Sequence, residues 1–94
     1  MNFTWINKQG VENENGEVVQ FTDRFTAEYR KGTKVIEVGI ESGVMGGTSC
    51  ISYLSKDFDR WSKGGGQLSF SEKEQALNTF REALKFQGLV PDED

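Results

Sequence analysis

Histidine and cysteine, two side chains that often do acid–base or nucleophilic chemistry, are scarce in this sequence. The chain contains no histidine, so it lacks the side chain that most often acts as a general base or binds a metal ion. Cys50 is the only cysteine, and without a histidine to activate it we expect a buried structural thiol. The serines lack the same partner. The sequence therefore predicts no catalytic residue and a protein that is not an enzyme.

The sequence contains residues that could open a metal-binding loop or a phosphate-binding loop, but it lacks the residues that complete either motif. Asp57 and Asp59 have the spacing that opens a calcium loop, but Leu68 stands where a bidentate glutamate should close it. The glycines at 64–66 precede a predicted helix, whose first backbone amides can hold an anion. The lysine and Ser/Thr of a phosphate loop do not follow them in the required order. We therefore expect no metal ion and no cofactor.

Aromatic and acidic side chains are the remaining candidates, and they point to binding. Phe58 and Trp61 alternate with charges outside any clear strand or helix, and such residues often anchor protein interfaces. The alternative is that both rings plug the open end of a sheet–helix sandwich. The loops predicted at 8–15 and 43–48 are further places where binding often resides. The candidate partner-binding residues are Glu12, Glu14, Glu37, Glu41, Asp57, Phe58, Asp59 and Trp61.

The first part of the chain is predicted to form the strands that position these residues. Within the run 17–31, the odd positions from 19 to 29 are apolar and the even positions from 20 to 30 polar, with Asp23 as the one break. This pattern fits one long strand bulged at Asp23 or two strands that meet near it, and the unbroken register favours one strand. Alternation resumes over 35–41, and a flexible loop over 42–48 should precede a strand at 49–55. A short β-prone run at 3–6 brings the predicted count to about four strands, and this run would fit at an edge of the sheet.

The last third of the chain changes to a helical period. Leu77, Phe80 and Leu84 share one helical face. Ser71 with Glu74 forms a capping-box pattern, which the Ser at 69 and the Glu at 72 repeat two residues earlier. Gly88 and the proline at 91 should end the helix. The pattern predicts a helix over 71–88 that covers one face of the sheet.

These elements predict an α+β fold, an antiparallel β-meander of about four to five strands packed against one C-terminal α-helix. The 94 residues fit a single domain. Within it we expect the β-sheet at 1–55, a connector at 56–70, the helix at 71–88 and an acidic tail at 89–94.

Charge and composition narrow the possible partners. Fifteen acidic residues against 11 basic ones make the net charge −4, and a negative field repels nucleic acids and anionic membranes. A basic protein is the compatible partner. A lone cysteine permits no internal disulfide, and the N-terminal residues have no signal-peptide pattern. The sequence therefore predicts a cytoplasmic protein that binds neither nucleic acid nor membrane.

One stretch resembles a known group of proteins. A strand ending near Tyr53, then Trp61, a glycine-rich break and a helix that runs from Ser71 to Gly88 resemble small bacterial immunity proteins of polymorphic-toxin and contact-dependent growth inhibition systems. The resemblance covers residues 53–88. It implies a cytosolic inhibitor that covers the active site of a cognate toxin, commonly a basic nuclease.

Two other functions fit the same residues. One is a phage-borne or accessory modulator of the anti-defence type, which shares the acidic and non-catalytic character. The other is a small-ligand or peptide-binding module, which requires a substantial apolar pocket between sheet and helix.

Overall fold

Seven strands and two helical segments make up the chain. The strands are β1 (Phe3–Asn7), β2 (Gly10–Asn13), β3 (Glu17–Phe21), β4 (Thr26–Lys31), β5 (Lys34–Met45), β6 (Thr48–Tyr53) and β7 (Val90–Glu93). A 3₁₀ helix, Ser55–Asp59, and helix α1, Phe70–Phe86, lie between β6 and β7. The computed structural model describes all residues, 1–94. The predicted α+β class is confirmed, but the sheet has seven strands instead of four to five.

The strands lie in the sheet in the same order as in the sequence, from β1 at one edge to β7 at the other. Neighbouring strands are antiparallel from β1 to β6. β7 is parallel to β6 because α1 carries the chain back along the sheet before β7 begins. The predicted meander therefore holds for six strands. The predicted edge position of the N-terminal run is confirmed.

The acidic segment predicted as a tail at 89–94 contains β7. Its carboxylates are engaged, because Ser52 donates a hydrogen bond to Asp92 at 3.0 Å and Arg81 forms an ion pair with Glu93 at 3.0 Å. Pro91 has no N–H to donate, and an edge strand tolerates that loss. The pairing with β6 orders a segment whose composition resembles a solvated terminus.

The prediction of one strand over 17–31 is wrong, because the chain reverses at residues 22–25. In this turn Asp23 accepts a hydrogen bond from the Phe25 amide at 2.8 Å. The loop has an even number of residues, so the apolar positions of β3 and β4 stay in phase across it. Phe21 and Ala27 consequently face each other on the same side of the sheet.

Two predicted loops are also corrected. The segment at 42–48 is the end of β5, a tight turn and the start of β6, and the turn is possible because Gly46 and Gly47 adopt φ values of 59° and 83°. The polar segment at 8–15 contains β2, which pairs with both β1 and β3. The predicted Asn15–Gly16 turn connects β2 to β3, with Gly16 at φ 76°.

Helix α1 begins and ends near the predicted residues. The capping box uses Ser69 and Glu72, not Ser71 and Glu74: the Ser69 hydroxyl accepts a bond from the Glu72 amide, and the Glu72 carboxylate accepts one from the Ser69 amide. At the other end Gly88 adopts φ 80° and the Leu89 amide donates to the Leu84 carbonyl at 3.0 Å. That bond is the one expected of a Schellman stop. No helix of the chain has the length and apolar character that crossing a bilayer requires.

The core lies between α1 and the inner face of the sheet. Seventeen buried apolar residues form one cluster. At its centre the rings of Tyr53, Phe58 and Phe80 meet edge to face, with Tyr53 and Phe80 centroids 4.8 Å apart. Edge-to-face contacts between large rings stabilise a core beyond the area that they bury. This cluster joins β6, the 3₁₀ helix and α1.

Candidate functional site

A fully buried carboxylate, Glu17, lies where β3 passes under the helix. Its Oε1 accepts hydrogen bonds from the side-chain amides of Asn13 (2.9 Å) and Gln75 (3.0 Å). Its Oε2 accepts bonds from the hydroxyls of Thr79 (3.0 Å) and Tyr29. The four donors come from β2, β4 and α1, so one side chain connects three strands with the helix.

The hydrogen bonds determine the protonation state of this site. Burial raises the pKa of Glu17, but the four hydrogen bonds favour the carboxylate more strongly, and its pKa lies below the ordinary value. Burial, and then the bond to Glu17, raise the pKa of Tyr29, which therefore remains a donor. A carboxylate with all four positions occupied cannot accept a proton from a substrate without losing a bond. The arrangement suits a structural connection and does not suit acid–base catalysis.

Sequence reasoning missed Glu17 as a key residue, although a signal was present. Glu17 stands in phase with Val19 and Phe21, which face the helix. An acidic residue at an inward position of a strand predicts a buried polar network, because a buried charge requires partners.

The predicted binding residues Asp57, Phe58 and Trp61 all serve the fold. Phe58 is fully buried and Trp61 is 7% exposed, and both belong to the core cluster. The indole of Trp61 stacks on Tyr29 with centroids 6.1 Å apart, and the ammonium group of Lys34 lies 5.3 Å from its ring. Both rings are therefore core residues, which agrees with the alternative prediction that they plug the sheet–helix sandwich.

Asp57 completes the hydrogen bonding along one edge of β5. Three alternate amides on that edge have no strand beside them. The amide of Val35 donates to the Lys63 carbonyl (3.0 Å) and that of Glu37 to the Ser62 hydroxyl (2.9 Å). The amide of Gly39 donates to the Asp57 carboxylate at 3.0 Å. The connector thus replaces a neighbouring strand at this edge, and the Asp57 carboxylate is occupied.

The remaining acidic candidates are divided among different places. Asp59 forms an ion pair with Lys73 at 2.5 Å. Glu14 accepts a bond from the Asn2 amide at 2.7 Å, beside β1. Glu12 lies on β2, three strands away from β5 in the sheet. The structure does not bring these three together.

Glu37 and Glu41 do lie together, on the face of the sheet that the helix leaves open. Both are exposed, while Ile36, Val38 and Ile40 alternate with them and are buried on the opposite face. Glu28 lies directly across from Glu37 on β4 and adds a third carboxylate, which forms an ion pair with Arg30 of the same strand at 3.2 Å. We call Glu28, Glu37 and Glu41 the acidic face. No ion pair neutralises Glu37 or Glu41.

The acidic face continues into an arm formed by the ends of β5 and β6. Every residue from 41 to 49 is exposed, so both faces of this two-stranded ribbon are open. Its tip carries Val44, 75% exposed, and Met45, 52% exposed. Met45 lies on the same side of β5 as Glu37 and Glu41, because strand residues alternate between faces. Exposed apolar residues beside a charged surface are typical of a protein-binding site.

All four cavities of the chain are open to solvent. No three acidic or thiol side chains converge to hold a metal ion. The most enclosed cavity has a volume of about 220 Å³ and is lined by Tyr29, Lys31, Lys34, Trp61, Glu72 and Gln75, of which four are charged or carry a side-chain amide. Small-molecule sites usually enclose about 300–1,000 Å³; the three larger cavities, of about 540, 380 and 310 Å³, are more open to solvent than this one. No protein-family model, curated protein or solved structure matches this chain.

Proposed function

We propose that this chain is a non-catalytic protein-binding protein: an immunity protein that neutralises a cognate bacterial toxin in the cytoplasm by binding it directly. The observation that carries the proposal is the acidic face. Glu37 and Glu41 lie exposed and without ion-pair partners beside the apolar arm tip, on the side of the sheet that α1 does not cover. This surface offers negative charge and an open shape to a protein partner.

The chemistry of the acidic face selects the class of partner. Carboxylates on one open face attract a basic protein over long range and speed its association. An enzyme that cleaves nucleic acids carries such a basic surface, because it must bind phosphates. A protein seated on that surface excludes the substrate. The toxin partner is therefore a basic domain, and inhibition is steric and electrostatic.

The arm supplies the apolar part of the contact. Interfaces combine a desolvated apolar centre with a polar rim. Val44 and Met45 are exposed at the tip and available to enter a cleft, while the acidic face makes the rim. Met side chains adapt to irregular surfaces, which suits insertion into a partner.

A small-ligand module receives less support. It requires a substantial apolar pocket between sheet and helix, and that space is occupied by the core cluster. The adjoining cavity has a volume of about 220 Å³, which is below the usual range of small-molecule sites, about 300–1,000 Å³.

Co-expression with a toxin tests the proposed function. The toxin to test is the C-terminal domain of any large protein that is encoded immediately upstream of this gene in the native host. Expressed alone in a bacterial host it should stop growth, and expression of this chain beside it should restore growth. The double variant Glu37→Lys, Glu41→Lys should fail to protect, while Glu74→Lys, an exposed charge reversal on the helix, should protect as the wild type does. The proposal would be contradicted if neither the wild type nor Glu74→Lys restored growth in the presence of a toxin encoded beside this gene.

A further inference from the structure

The two edges of the sheet differ in how they are protected from other strands. β7 contains Pro91, Asp92 and Glu93, and proline and charge are the usual means of blocking an edge. β1, Phe3–Asn7, has no charged residue and no proline, and its one irregularity is a bulge between Trp5 and Asn7. The outer side of β1 has no strand beside it.

An aromatic cluster extends from β1 to the end of the helix. The ring of Phe86 lies 5.7 Å from Phe3 and 5.9 Å from Trp5, measured between centroids. Trp5 is 52% exposed, Ile6 45% and Phe86 45%. The unprotected edge of the sheet therefore also carries exposed apolar side chains. We call Phe3, Trp5, Ile6 and Phe86 the aromatic edge.

We propose that the aromatic edge is a homodimer interface, in which β1 pairs antiparallel with β1 of a second copy about a two-fold axis. The pairing joins the two sheets into one continuous sheet. The edges that remain are the two protected β7 strands, so the assembly closes at two copies. The proposal is independent of the proposed function, because it uses neither the acidic face nor the arm.

Charge favours a second copy as the occupant. β1 itself is uncharged, so it can pair with β1 of a second copy without bringing like charges together, although each chain carries a net charge of −4. In an antiparallel pairing centred near Trp5, residue 8 of one copy lies opposite residue 2 of the other. Glu14 holds the Asn2 amide at 2.7 Å, so its carboxylate stands close to Lys8 of the second copy. Neither Lys8 nor Glu14 has an ion-pair partner within its own chain.

Sedimentation velocity on the purified full chain, from low micromolar to several hundred micromolar, tests the proposal. The wild type should shift from monomer to dimer with concentration. Trp5→Lys should raise the dimer dissociation constant at least about tenfold, which corresponds to about 1.4 kcal/mol. Ile6→Lys provides a second disruption at a residue outside the core. Phe70→Lys is the matched control, since Phe70 is an apolar residue 79% exposed at the far end of α1, and it should leave the dimer intact.

A charge-swap series tests the geometry of the pairing. Lys8→Glu should weaken the dimer, and Lys8→Glu combined with Glu14→Lys should restore it. The proposal would be overturned if the wild type sedimented as a monomer at every concentration. That result is expected if the aromatic edge pairs with a strand of a different protein. A dimer that survives both Trp5→Lys and Ile6→Lys would also overturn it.

Discussion

The hydroxyl of Tyr29 on β4 donates a hydrogen bond to Oε2 of Glu17 on β3, and the same oxygen accepts a bond from Thr79 on α1. Both carboxylate oxygens are thus saturated by donors from separate elements. The position of the helix over the sheet is consequently tied to the ionisation of one buried side chain.

Glu17→Gln should destabilise the protein by about 2–3 kcal/mol at neutral pH. The amide presents N–H groups to hydroxyls and amides that were arranged to donate, so buried donors lose their acceptor. Chemical denaturation followed by circular dichroism measures the loss. Glu74→Gln, on the exposed side of α1, should change the free energy of unfolding by less than about 0.5 kcal/mol.

The same variant should alter the dependence of stability on pH. The pKa of Glu17 is lower in the folded chain than its ordinary value of 4.5. Between those two values the unfolded chain binds more protons, so stability rises with pH there. The contribution of Glu17 is complete above about pH 4.5 and is lost as pH falls through the folded pKa. The difference between wild type and Glu17→Gln should therefore narrow in acid, and a constant difference would contradict this account.

Trp61→Ala should destabilise the protein by about 3–5 kcal/mol, because it removes a buried ring from the core. For a domain of this length each kcal/mol lowers the melting temperature by about 4–8 °C. Differential scanning calorimetry measures the shift. Phe70→Ala, at a highly exposed ring, should leave the melting temperature almost unchanged, and a similarly small effect of Trp61→Ala would place Trp61 at the surface.

Gly65→Ala should destabilise the protein, while Gly66→Ala should not. A Cβ at Gly65 would lie 2.6 Å from Cδ1 of Trp61, inside contact distance, whereas one at Gly66 meets no atom within 4 Å. Overpacking against a buried ring costs about 1–3 kcal/mol. Equal free energies of unfolding for the two variants would contradict the packing of the 64–66 segment on Trp61.

Asp57→Ala should cost about 1–2 kcal/mol of stability, because it leaves the Gly39 amide without its acceptor. Asp59→Ala should cost less than about 1 kcal/mol, since its ion pair with Lys73 is exposed. Urea denaturation compares the two. Asp57→Ala should also bind the protein partner as the wild type does, and impaired binding by a stably folded Asp57→Ala would restore Asp57 to the binding surface.

Local sequence patterns were sufficient to predict much of the fold. The helical face of Leu77, Phe80 and Leu84 and the stop at Gly88 suffice for α1, because helix formation and capping depend on nearby residues. β7 was beyond such reasoning: Val90–Glu93 is short and acidic, and only its pairing with β6 makes it a strand. The turn at 22–25 preserves the phase of alternation, so periodicity alone cannot reveal it.

The residues of the candidate site likewise fall into those that a local sequence pattern reveals and those that depend on distant contacts. Glu37 and Glu41 were identifiable as outward residues because they alternate with buried ones on β5. Phe58 and Trp61 lie in a connector without a period, so their burial depends on contacts with Phe80 and Tyr29, which are distant in sequence. Asp57 accepts a hydrogen bond from the Gly39 amide, 18 residues away, which no local pattern indicates.

Affinity capture from the native host, with wild type and charge-reversed baits in parallel, tests the central claim most directly. Quantitative mass spectrometry should find one basic protein enriched on wild type and on Glu74→Lys, and lost on the double variant Glu37→Lys, Glu41→Lys. Raising the salt concentration should slow its association with wild type, since salt screens charge steering. A captured partner that the double variant retains in full, or no protein whose capture depends on the acidic face, would contradict the account.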